Sequence, residues 1–144
     1  MANEAHYRKL EQMYLSAPTN EYYRPGIQIK KGEAEIRMAV RPEFFHAAHA
    51  VHGSVYFKML DDAAFFAVNS LVEDVFVLTA EFNLYLLRPI QQGEMVSRGR
   101  VIHRSRRLFI AESELLDSRE RILARGSGTF LRSEIPLNAD VGYI

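Results

Sequence analysis

The sequence predicts an α+β protein in which one long central helix is wrapped by a curved, largely antiparallel sheet of five to six strands. Three observations carry this expectation. The stretch "HGSVYFKMLDDAAFFAVNS", residues 52 to 70, reads as a helix that is apolar on nearly every face. Such a helix is buried rather than laid on a surface. Segments with period-two alternation lie on both sides of it, and short polar turns separate the later ones, as in hairpins.

The elements follow in order. Residues 3 to 15 form a short helix with Leu10, Met13 and Tyr14 on one stripe, ended by "SAPTN". A short strand from Ile27 to Ile29 precedes the "KKGE" turn. Ala34, Ile36, Met38 and Val40 then alternate with Glu33, Glu35, Arg37 and Arg41, the pattern of a half-buried strand. "RPEFFHAAHAV" is a loop leading into the long helix. "VFVLTAEFNLYLLRP" is a long strand closed by Pro89 and the "QQGE" turn. "MVSRGRVIH" and "LFIAESELL" flank the polar turn "RSRR", and "DSRE" turns the chain into "RILARGSGTFLR". There Ile122, Ala124, Gly126, Gly128 and Phe130 share a face, and its glycines mark a close approach. The expected organisation is a single domain over residues 1–144. It has a helical extension (1–25), a core (33–131) and an unpatterned tail (133–144).

Composition narrows the function. The chain has 48% apolar and 25% charged residues, ordinary for a globular protein. Its formal net charge is zero, which gives no general attraction to nucleic acid or to a membrane surface. Without cysteine there is no disulfide, thiolate metal site or cysteine nucleophile. The N-terminus has no basic start followed by an apolar run, and no stretch approaches 18 uninterrupted apolar residues, so a cytoplasmic protein is expected.

The long helix holds two adjacent aspartates with different surroundings. At 100° per residue, Asp62 falls in a narrow polar sector with Lys58 and Asn69 and reads as the solvated half of a surface ion pair. Asp61 falls among Phe57, Ala64, Phe65 and Val68. An ionised carboxylate there costs several kcal/mol unless something compensates. Either an arginine pairs with it, or burial makes it a working base or nucleophile. At the helix start, His52-Gly53-Ser54 offers backbone N–H groups with no intrahelical partner, suited to a developing oxyanion. Helix initiation by Gly53 and capping by Ser54 are the plain structural readings. Asp61 is about two turns further along, so a neighbouring subunit is needed if both groups serve one site.

These residues resemble the His-Gly-Gly plus Asp signature of the hotdog-fold acyl-CoA thioesterases of the phenylacetic-acid-degradation type (PaaI-like), with Asp61 nine positions after His52. "TAEFNLYLLRPIQQGE", "GRVIHRSRRLFIAESEL" and "ILARGSGTF" are similar to the later strands of that family, in the same order. The resemblance implies a hotdog fold and hydrolysis of an acyl-CoA, small, medium-chain or aromatic, to free acid and CoA. It implies that Asp61 acts as general base or nucleophile and that the Gly53 amide polarises the thioester carbonyl. Thr79, on the strand after the helix, is the candidate for positioning water. It further implies a homodimer or a dimer-of-dimers tetramer with sites at the interface, and no cofactor besides the coenzyme A of the substrate. Arg104, Arg106 and Arg107, in the turn "HRSRR", and the backbone at Gly126 and Gly128 are the candidates for holding CoA. Ser54 and Phe57 are the candidates nearer the acyl group.

The chain also departs from that pattern. The family's Asn six residues before the His is His46, its Gly three before is His49, and the second Gly of the signature is Ser54. His46 is therefore a candidate for orienting water or substrate in place of the Asn. His46, His49 and His52 would share a face only if helical, and with no further ligand identified no metal is expected. Two alternatives to hydrolysis stand beside it: a hotdog hydratase or dehydratase using one of these histidines, and a non-catalytic acyl-CoA binding protein. A gene-regulating sensor would need more than the short N-terminal helix to bind DNA.

Overall fold

The computed structural model describes residues 3–144. The helix α1, Glu4–Ser16, is capped by Asn3, whose side chain accepts the His6 N–H, and buries the stripe His6, Tyr7, Leu10, Met13 and Tyr14. A short helix α2, Asn20–Tyr23, follows within the expected helical extension and stops at Arg24, in the left-handed region at φ 53°. Strands β1, Gly26–Lys30, and β2, Glu33–Ala39, precede a 3₁₀ turn at Pro42–Phe44 and the central helix α3, Gly53–Asn69. Then come β3, Val75–Leu86; β4, Glu94–Arg104; β5, Leu108–Leu116; and β6, Ile122–Pro136. The six strands form one sheet in the order β1-β2-β4-β5-β6-β3, every neighbouring pair antiparallel. This sheet around α3 is the hotdog arrangement.

Small residues let the helix sink into the sheet. A Cβ on Gly99 of β4 would lie 2.4 Å from the backbone of Ala63, so only glycine admits this contact. The buried Ser97 and Ser113 hydroxyls donate to the carbonyls of Met59 and Leu60 at 2.7 and 2.8 Å. Asn69, expected in the polar sector with Lys58, is instead fully buried. Its amide donates to the carbonyls of Val72 and Val75 and its oxygen accepts the Val77 N–H, fastening the helix end to β3. The wheel placed Asn69 correctly, but at a helix terminus the chain folds back and covers it.

The two sheet edges are treated differently. α1 covers β1: Glu11 accepts the Ile29 N–H at 2.8 Å and Arg8 donates to the Ile29 carbonyl. At the opposite edge β3 has β6 on one side and, among the described residues, no strand on the other. β6 also runs four residues beyond Arg132, because β3 continues to pair with it, Val75 opposite Pro136. What approaches the glycines of β6 is the Phe82 ring. A Cβ on Gly126 or Gly128 would fall 2.6 or 2.5 Å from it.

Candidate active site

Asp61 lies on the side of α3 that faces β3, partly exposed, and accepts a hydrogen bond from the Thr79 hydroxyl at 2.9 Å. Burial pushes its carboxyl up to about 6, against the lowering effect of the Thr79 bond; nearby Asp62 raises it further and Lys58 offsets part of this. The arginine partner that a purely structural aspartate would need is not among its neighbours; its side-chain hydrogen bond is to a neutral hydroxyl. Such a carboxylate is ionised near neutral pH yet more basic than a solvated one.

The carboxyl opens into a cavity of about 690 Å³. Phe65, Phe66 and Phe76 supply apolar walls, and Lys58, Asp62 and Thr79 polar ones. Residues 13–14, 16–20 and 139–142 also line it. Of these, the C-terminal segment was outside the expected site, since no local spacing reveals that residues so far apart in sequence meet. Asn20, 4% exposed, lines the cavity too: its amide donates to the Tyr14 carbonyl, and its oxygen has no partner among the described residues.

Asp62 corrects the expectation of a solvated surface pair. It accepts from Lys58 Nζ at 2.8 Å and from the Tyr14 hydroxyl at 2.7 Å, and the Lys58 and Asp62 side chains are only 14% and 18% exposed. The cause is the N-terminal segment, whose Tyr14 and Tyr23 rings sit 5.2 and 4.7 Å from Lys58 Nζ. Burial and the Asp62 charge both push the Tyr14 hydroxyl far up, so it stays a donor.

At the start of α3, capping belongs to His52 rather than Ser54. His52 Nδ1 accepts the Ser54 N–H at 3.0 Å and its carbonyl accepts from Val55, and Ser54 Oγ sits 2.9 Å from the same ring nitrogen. The Gly53 N–H has no acceptor among the described residues. Gly53 borders Leu86 of β3, and a Cβ there would sit 3.3 Å from its side chain. The helical rise puts Gly53 about 12 Å from Asp61, and none of residues 52–54 lines the Asp61 cavity.

The preceding loop is not helical, so His46, His49 and His52 do not align as a ligand face. His46 Nδ1 accepts the Ala48 N–H at 3.0 Å, and its ring centroid lies 6.5 Å from that of His52. His49 has φ 65°, left-handed backbone that glycine adopts most easily. Among the described residues no group of three His, Cys, Asp or Glu side chains is disposed to hold a metal.

Phe57, 40% exposed, stacks edge-on against Phe82 at 5.7 Å. Arg104, Arg106 and Arg107 lie elsewhere, around a depression of about 650 Å³ shared with Asp74 and Arg132. The register Thr79–Phe130–Phe109–Arg104 sets Arg104 three strands from Thr79, about 14 Å away. With Phe82 filling the space over Gly126 and Gly128, any ligand meeting those glycines would have to use the opposite face of the sheet.

Among the described residues no helix is long and apolar enough to cross a membrane. A family model, that of the thioesterase superfamily, matches residues 48–124. A protein of Mycobacterium tuberculosis named "putative esterase" is 31% identical over 97 residues, covering 65% of this chain and 69% of that protein. A second of that name from Saccharolobus solfataricus is 25% identical over 104 residues, covering 72% and 69%. The solved structure of the PaaI protein from the E. coli phenylacetic acid degradation operon superposes with a TM-score of 0.84 at 18% identity, over 92% of this chain and 96% of that one, a likeness of fold.

Proposed function

The chain belongs to the thioesterase superfamily, and we propose that it hydrolyses an acyl-CoA thioester with Asp61 as the working carboxylate. The observation that carries this reading is the Asp61–Thr79 pair: a carboxyl raised to about 6, bonded to a neutral donor and opening into a cavity. Ionised Asp61 takes a proton from water, whose oxygen attacks the carbonyl carbon. The C–S bond breaks and CoA leaves as the thiol once protonated. Alternatively the carboxylate attacks directly, giving an anhydride that water then opens. Thr79 holds one carboxylate oxygen so that the other is presented to the reacting atoms.

The oxyanion needs a donor that this copy does not bring to Asp61. Thr79, which bonds Asp61, sits near the middle of β3, and Leu86, against Gly53, sits at its C-terminal end. A second copy pairing antiparallel along the open β3 edge, centred near Phe82 and Asn83, would set its Leu86 end against Thr79. That brings the free N–H of the partner's Gly53 toward Asp61. The exposed Leu78, Tyr85, Leu86 and Leu87 near this edge support such a homodimer. In this reading Arg104, Arg106 and Arg107 take CoA phosphates away from the carbonyl.

The test is release of free thiol from acyl-CoAs running from acetyl to palmitoyl, with phenylacetyl and benzoyl included. Turnover of at least one of them is expected. Binding without turnover on the whole panel would replace hydrolysis with the acyl-CoA binding reading.

A further inference from the structure

The cavity beside Asp61 is partly walled by segments outside the residues shared with the family model, which span 48–124. Residues 13–14 and 16–20 form one part of that wall and 139–142 another. The two segments are docked on each other. Gly142, at φ 85°, packs so closely on α1 that a Cβ would lie 2.7 Å from Ser16 Oγ and 3.4 Å from Met13 Cα. One residue on, the Tyr143 hydroxyl meets His6 Nδ1 at 2.7 Å, with ring centroids 5.7 Å apart and Lys9 Nζ 5.4 Å from the Tyr143 ring. His6 is 2% exposed, and its Nε2 bonds the Asn69 carbonyl at 2.9 Å. A carbonyl only accepts, so Nε2 is the donor to it, and Nδ1 is the ring atom that pairs with the Tyr143 hydroxyl. One buried imidazole thus ties the C-terminal tail, α1 and the end of α3 together.

We propose that the His6–Tyr143 clasp positions the tail and α1 as the wall of the acyl-binding cavity, so that residues outside the family core select the acyl group. Met13 and Val141 are the apolar selecting residues, and His6, Tyr143 and Gly142 are positioning residues. The inference rests on the thioesterase reading for what fills the cavity. Unlike that reading, it concerns selection rather than chemistry.

Two variants test it. Tyr143→Phe removes only the hydroxyl, and a chain ended after Asn138 removes the tail wall. In each, kcat/KM is measured for acetyl-CoA, phenylacetyl-CoA and decanoyl-CoA, and binding of the same three is measured by calorimetry in an Asp61→Asn background. Circular dichroism checks that the fold is kept. The decanoyl-to-acetyl ratio is expected to rise about tenfold or more in the shortened chain and severalfold in Tyr143→Phe, carried mainly by KM. A simple loss of stability would lower all three substrates together and leave that ratio in place. A ratio within twofold of the parent in the shortened, folded chain overturns the proposal. If the parent turns over none of the three, the thioesterase reading fails, and the binding ratios still decide the clasp by the same limits. Binding of none of them overturns both.

Discussion

Asp61 and Asp62 share a peptide bond but are held by opposite means. Asp62 is compensated twice, by the Lys58 ammonium and the Tyr14 hydroxyl, in its partly buried place beneath α1. Asp61 has a single neutral donor and carries an uncompensated cost of burial. The difference sets a carboxylate held as part of the structure beside the one proposed for the chemistry. The same helix turn supplies both, because one residue of rotation moves a side chain from the α1 side of α3 to the β3 side.

The sharpest way to break this comparison is to neutralise each aspartate in turn. Asp61→Asn is expected to lower kcat/KM about a thousandfold. It should also stabilise the fold. A carboxyl raised to about 6 favours its protonated form in the native state, so its contribution is present below the ordinary value and is lost as pH rises through 6. Removing the charge should then add on the order of 2 kcal/mol at pH 8, and little at pH 4. Thermal unfolding at the two pH values checks this; a variant that loses both activity and stability at pH 8 would make Asp61 structural.

The shared-site geometry predicts the next largest effect. Gly53 is the first residue of α3 and follows extended His52, a place where proline fits the backbone and removes the N–H, its Cβ pressing on the Leu86 side chain at 3.3 Å. Gly53→Pro should cost about a hundredfold in kcat with the fold intact. Mixing and re-forming dimers from equal amounts of this variant and Asp61→Asn should restore about a quarter of parental activity, because a mixed dimer regains one complete site. No recovery would place both groups' effects within one copy. Smaller still, Asp62→Asn should destabilise by about 1–2 kcal/mol, since it strands a partly buried ammonium. It should change kcat/KM by no more than about threefold.

The sequence was most informative where periodicity is local. The alternation in β2 and the all-round apolar α3 announced their elements, and a charge within an apolar arc announced Asp61. A helical wheel assigns a direction but not what lies in that direction, which is why Asp62 reads as solvated and Asn69 falls in the same polar sector. The glycines of β6 signalled a close approach without revealing that Phe82 makes it. The contact of His6 with Tyr143 joins residues 137 apart, and the tail has no alternation to betray it. Ser133 and Glu134 likewise hid the end of β6, because a strand beyond the core need not alternate in polarity.

In the proposed reaction Asp61 works as an ionised carboxylate whose proton affinity is set by burial and held down by Thr79. The pH dependence of kcat/KM for a turned-over acyl-CoA, in the parent and in Thr79→Val, tests this most directly. The parent should show a single acid limb with a midpoint near 6, falling tenfold per pH unit below it. In Thr79→Val, where the lowering hydrogen bond is gone, the limb should move to higher pH. A profile flat from pH 5 to 8, or a limb that Thr79→Val leaves in place, would contradict the assignment of Asp61.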